Sequence, residues 1–251
     1  MNFRAGFSVA MVATAMQFSF AAQVLAQVRA PVAQKPAEVS GDLAFGRFIA
    51  LIRGHLLAGD ELVKRRDWSE AYPHFNFPIE EIYGVIRDEL QAYNTPPFDG
   101  DLKALARTVQ TRNARQYPKA WEKVEEVLRR ADWSLKAKVA SWPRFQVAVA
   151  TEVLKAALEE YDEAIANGRI AHPVGYRSAR GFVLQALRMI DAAAPGLPAG
   201  NEAELGEIRA VLARLEAAFA TLRPPARPPI DDAEMVAMTA QIEAAAARLR
   251  P

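Results

Sequence analysis

Apolar residues recur along this chain at steps of three and four over long stretches, a spacing that predicts helices. Between Leu43 and Val63 the repeat is Phe45, Phe48, Ile49, Ile52, Leu56 and Val63, with Ser40 and Asp42 placed as starting caps. A second stripe, Ile79, Ile82, Ile86, Leu90 and Tyr93, predicts one helix beginning at Pro78. Shorter helices are predicted over 100–111 and 117–131, and a long one follows Pro143 to about Ala166. Another starts after Pro173 with Tyr176, Ala179, Val183, Leu187 and Ile190, and a further one covers 202–222. Proline repeatedly stands at a first helical turn, where its missing N–H costs nothing. No alternating apolar–polar run bounded by turn residues is long enough for a strand. The expected fold is an all-α, antiparallel helical bundle over 40–222.

The segments outside that bundle have their own patterns. Residues 1–26 open with Met-Asn-Phe-Arg and then carry no charge from Ala5 to Val28; Val24-Leu25-Ala26 suits cleavage after Ala26. The uncharged run would also reach across a bilayer, which needs about 20 residues, but its Ser, Thr and Gln content makes it a poor anchor. The expectation is a cleaved signal peptide and a periplasmic protein, with an uncleaved membrane anchor as the alternative. Residues 27–39 read as a flexible leader and 223–230, Arg-Pro-Pro-Ala-Arg-Pro-Pro-Ile, as an extended proline-rich linker. An Ala-rich terminal helix over 231–251 follows, with Met235, Met238 and Ile242 on one side.

A short echo suggests a duplicated helical hairpin. Arg65-Arg66-Asp67-Trp68-Ser69 returns as Arg129-Arg130-Ala131-Asp132-Trp133-Ser134, and a proline follows each tryptophan at the same distance (Pro78, Pro143). Chance resemblance explains the echo equally well. A true repeat would set Val139 opposite His74, Phe145 opposite Glu80, Gln146 opposite Glu81 and Leu154 opposite Glu89. Those polar groups would then be dispensable to the fold.

Composition removes several functions. The 251 residues hold 31 Lys and Arg against 30 Asp and Glu, and loss of Arg4 with the signal leaves the signs equal. Such balance argues against nucleic acid or an anionic membrane surface as partner. No cysteine is present, so disulfides and thiolate metal sites are excluded and stability rests on the apolar core.

Candidate chemistry is densest from Arg53 to Tyr83, which holds two of the three histidines. At about 100° per residue His55 falls in the Phe48, Ile52, Leu56 stripe and points inward, while Glu61 falls on the far, solvated side. Asp67 reads as a cap and Glu70 as a loop or first-turn acid. On the helix predicted from Pro78, Glu89 lies inside the stripe and Glu81 at its edge, with Glu80, Arg87 and Asp88 outward. A buried carboxylate costs several kcal/mol unless paired or coordinated. His55, Glu81 and Glu89 are therefore expected to converge, with His74 and Glu80 near the mouth. One imidazole with carboxylates on facing helices suits iron, copper, zinc or manganese. The same residues also suit a core histidine bonded to a buried glutamate with no ion, or an organic-ligand or partner site. His74, within Pro-His-Phe-Asn-Phe-Pro, reads as part of a short aromatic connection that caps or packs a turn, with a ligand role as the alternative. His172 reads as a helix-start residue before Pro173. Glu152, Glu159 and Glu163 form a stripe that is either a solvated face or a cation-recruiting surface. Arg177 and Arg188 are placed on an outer face.

Leu158 to Val183 resembles the helix–turn–helix of exported helical proteins in the imelysin-like and periplasmic iron-permease-domain group. The matching residues are Glu160, Tyr161, Ala164, Ile165, Gly168, Tyr176, Ala179, Arg180, Gly181 and Phe182. Gly175 stands where an acid is expected and no His-x-x-Glu occurs, so metal ligands are not carried over. The resemblance implies a periplasmic helical module associated with metal uptake.

Nucleophile, phosphate-loop and His-Glu-x-x-His motifs are absent, and no spacing selects a carboxylate pair for glycan cleavage. The chain is expected to be non-enzymatic: a metal-binding or metal-uptake accessory whose partner is an envelope protein or metal permease. The alternative is a helical scaffold of the envelope with no bound metal.

Overall fold

Each stripe read from the sequence is buried against a neighbouring helix. In a computed structural model, which describes residues 41–250, α1 (Gly41–Lys64) turns Phe45, Ile49, Ile52 and Leu56 into the core. The chain continues through α2 (Trp68–Phe77), a π-helical turn (Pro78–Ile82), α3 (Tyr83–Ile86) and a 3-10 stretch (Arg87–Tyr93). Then come α4 (Asp99–Gln110), α5 (Tyr117–Lys138), α6 (Trp142–Ala164), α7 (Pro173–Ala193), α8 (Glu202–Ala218) and α9 (Asp232–Ala247). The fold is all-α. Its strands, among the described residues, are Ile165–Ala166 and Arg169–Ile170, paired through Asn167 and Gly168. Both turn residues sit at positive φ, as a tight two-residue hairpin requires. The expected signal (1–26) and leader (27–39) lie outside the described residues.

α6 and α7 form the most extensive helix pair, and α1 packs along α7 while touching α6 and α2. Glycine makes the α1–α7 crossing close: a Cβ on Gly181 would collide with the Gly54 carbonyl oxygen, and one on Gly54 with the Phe182 ring. α9 packs on α6 and α8 by burying Met235, Met238 and Ile242. Before α9, Tyr161 donates to the Ile230 carbonyl at 2.7 Å, and Asp231 caps α9 by accepting from Glu234 N–H. No helix of the described residues is long and apolar enough to cross a membrane.

Three local expectations are corrected. The helix predicted from Pro78 is not continuous: α, π and 3-10 turns succeed one another, so a uniform phase of about 100° per residue fails after Phe77. The aromatic connection around His74 is helix, with Pro73 inside α2. The carbonyl deprived of its partner by Pro73 belongs to the exposed Ser69, which water can serve. The echoed motif is no repeat of structure. Arg65 and Arg66 follow the end of α1, with Arg66 in the left-handed region, whereas Arg129 and Arg130 lie mid-helix in α5. Asp132 does not cap a helix; it pairs with Arg53 at 2.7 Å.

Candidate functional site

Where α1 and the π turn cover the α6–α7 hairpin, a recess of about 290 Å³ opens. His55 and Arg47 of α1, Glu81 of the π turn, and Glu159, Glu160 and Glu163 of α6 line it, with Phe182 at its wall. Glu160 continues Val153 and Ala157 toward Ala164 at three- and four-residue steps, a polar interruption of an apolar stripe. That register leaves Glu160 half-buried while Glu81 and Glu163 remain exposed. Burial pushes its pKa up to about 7, helped by the negative charges of Glu163 and Glu81 and opposed by a hydrogen bond from Ser178. Burial, then Glu80 and Glu163, also raise the pKa of Glu81.

His55 stands one step deeper, 3% exposed. Its ring meets the edge of Phe182 at 4.9 Å and of Phe77 at 5.6 Å, and Nδ1 lies 3.4 Å from Ser178 Oγ. Ser178 thus stands between His55 and Glu160. When ionised Glu160 accepts the Ser178 proton, the hydroxyl accepts from His55 Nδ1–H, and Nε2 keeps the lone pair. Burial lowers the His55 pKa to about 3, so the ring is neutral at ordinary pH.

His74 lies behind it, ring centroids 6.2 Å apart and fully buried. Neither of its ring nitrogens has a hydrogen-bond partner among the described residues. Burial, then His55 and Arg177, hold its pKa well below the usual value. Replacing His74 by leucine removes a desolvated, unpaired polar group and is expected to stabilise the fold by about 1–2 kcal/mol in urea unfolding. Both folded-state pKa values are depressed, so the unfolded chain binds more protons below about pH 6.5 and stability falls on acidification. His74→Leu should flatten that acid limb.

The predicted ligand set is only partly brought together. His55 and Glu81 share the recess. Glu89 does not join them: it sits on the 3-10 stretch near Tyr93, whose pKa is raised by burial, then by Asp42, the acceptor of its hydroxyl at 3.0 Å, and last by Glu89. Asp42 belongs to the first turn of α1, far along the helix from His55. Glu80 is exposed on the π turn, and His74 is buried behind the recess rather than near its mouth. Among the described residues no three His, Asp or Glu side chains stand close enough to hold a metal ion as they lie.

Two acids expected in water are instead tied to arginines of α7, one of which, Arg177, was expected on the outside. Arg177 pairs with Glu70 at 2.6 Å and gives Nε–H to the Leu222 carbonyl; Arg180 pairs with Glu61 and gives Nε–H to the Phe219 carbonyl at 2.8 Å. Both arginines are buried. Every residue of α7 from Tyr176 to Val183 is buried, because α7 packs against α1, α2, α6 and α8, and a single amphipathic stripe does not describe such a helix.

The recess draws Glu159, Glu160, Glu163 and Phe182 from the α6–α7 hairpin, with Ser178 of α7 behind them. Residues 136–251 match the family model of the iron permease-associated 4-helix bundle domain. The matched span holds four long helices, α6 to α9, and takes in the hairpin whose sequence resembled that group. The 4-helix bundle domain covers just under half of the chain, and α1 to α4, with most of α5, precede it. No curated protein and no solved structure matches this chain.

Proposed function

We propose that this protein is an exported, non-enzymatic accessory of metal uptake whose acid-lined recess takes up a divalent transition cation: iron, copper or zinc. The observation that carries the reading is Glu160, half-buried, raised to about 7 and faced by Glu81 and Glu163. Arg47 in the recess pairs with Glu159 at 3.9 Å, whereas Glu81, Glu160 and Glu163 make no ion pair among the described residues; their like charges favour a cation, and His55 adds a neutral imidazole of the kind these metals accept. Glu81 and Glu163 are exposed side chains that need only rotate to close on an ion. The link of the 4-helix bundle domain to iron permeases supports a permease, or another envelope protein, as partner. In the periplasm the protein would present the cation to it.

The pH behaviour follows from the raised pKa. The folded state holds the Glu160 proton up to about pH 7, whereas the unfolded chain releases it near its ordinary value of 4.5. This group therefore costs stability as pH rises between those values, and a bound cation reverses the loss. Calorimetric titration of the purified protein with Fe(II), Cu(II) and Zn(II) tests the reading. Binding is expected at one site, tightening from pH 6 to 8, and Glu160→Gln should weaken it by roughly 10- to 100-fold. Absence of binding, together with thermal melts unmoved by micromolar metal, would reject it. The metal-free scaffold reading would then stand, favoured by the Arg177–Glu70 and Arg180–Glu61 pairs, which serve packing without an ion.

A further inference from the structure

A second groove lies elsewhere, between α4 and α5 and outside the matched 4-helix bundle domain. Its volume is about 490 Å³, within the range of small-molecule sites. Lys103 and Arg107 line it from α4, Lys119 and Lys123 from α5, and Gly100, Ala104 and Ala120 leave space between the two rows. The only carboxylate in the lining is Asp101. Lys103 is held by Asp99 at 2.9 Å; Arg107, Lys119 and Lys123 make no ion pair among the described residues.

That arrangement works against the fold. Each row places like charges four residues apart on one helix, which is destabilising, and the rows face a common groove. Several cations elsewhere in this charge-balanced chain are paired with acids, as in Arg53–Asp132, Lys155–Glu243 and Arg214–Glu234. The local donor supply is also one-sided. Thr108 and Thr111 spend their hydroxyl protons on the Leu105 and Arg107 carbonyls, so the cationic heads are the main donors left. A ligand rich in acceptors and negative charge suits such walls, and the small residues between them admit a carbon body.

We infer that the α4–α5 groove binds a small polyanion bearing two or more carboxylate or phosphate groups. Binding there is independent of the metal recess, whose residues it does not use.

Citrate and inorganic pyrophosphate serve as probes in calorimetric titrations of the full chain at low ionic strength. Saturable one-to-one binding that weakens with added salt is expected for at least one of them, and the stronger probe identifies the head group. Lys119→Glu/Lys123→Glu should weaken it at least tenfold. So should Ala104→Leu, which keeps every charge but fills the space. All three positions are exposed, and circular dichroism checks that the variants fold. Absence of saturation for both probes would overturn the proposal. Undiminished binding by Ala104→Leu would overturn it as well, since attraction without a shaped site would then suffice.

Discussion

Gly181→Ala is expected to destabilise the protein by about 3 kcal/mol or more, at the upper end of overpacking costs. The new methyl would meet the Gly54 carbonyl oxygen of α1, and backbone does not rotate away as a side chain does. α1 and α7 must therefore separate, loosening the contacts of Phe182 with His55 and of Ser178 with His55 Nδ1. A urea unfolding curve measures the loss. Gly206→Ala is the control: this α8 glycine is exposed with nothing near its would-be Cβ, and alanine there should stabilise by up to about 1 kcal/mol. Equal effects at the two sites would show that helix propensity, not close approach, governs Gly181.

Arg180→Ala should cost a similar amount, about 3 kcal/mol. The guanidinium is 9% exposed and serves two elements at once, the Glu61 carboxylate of α1 and the Phe219 carbonyl that closes α8. Its removal leaves a partly buried carboxylate without a partner and a helix-terminal carbonyl without a donor. Lysine is expected to recover less than half of the loss, because one ammonium cannot reach both acceptors in the fork geometry of arginine. A loss below about 1 kcal/mol would mean that water replaces both bonds, as at an exposed ion pair.

These sites show where the sequence was readable. The helical class was plain, because apolar residues at three- and four-residue steps leave no register for strands, and the stripes Phe45–Ile52–Leu56 and Tyr176–Ala179–Val183 are buried as their phase requires. The same reasoning put His55 inward. It failed at Glu89, since phase is inherited from the preceding turn and the π turn at Pro78–Ile82 resets it. His74 was misplaced for a related reason: two prolines suggested a loop, yet Pro73 is accommodated where its orphaned carbonyl belongs to an exposed residue.

The candidate site divides along the same line. Glu160 was not read as a site residue, although its interruption of the Val153–Ala157–Ala164 stripe was a signal that could have marked it. Only packing brings Glu81 from the π turn against α6 and sets Ser178 between Glu160 and His55. Arg177 looked external on a helix assumed to have one buried side, but α7 is enclosed by several neighbours, and the charges of Arg177 and Arg180 are met by Glu70 and Glu61 from distant turns. Periodicity is a property of neighbours in the chain, so it specifies each helix and its apolar side. Which carboxylate meets which cation depends on how those helices cross, and at α1 and α7 that crossing depends on two glycines lying back to back.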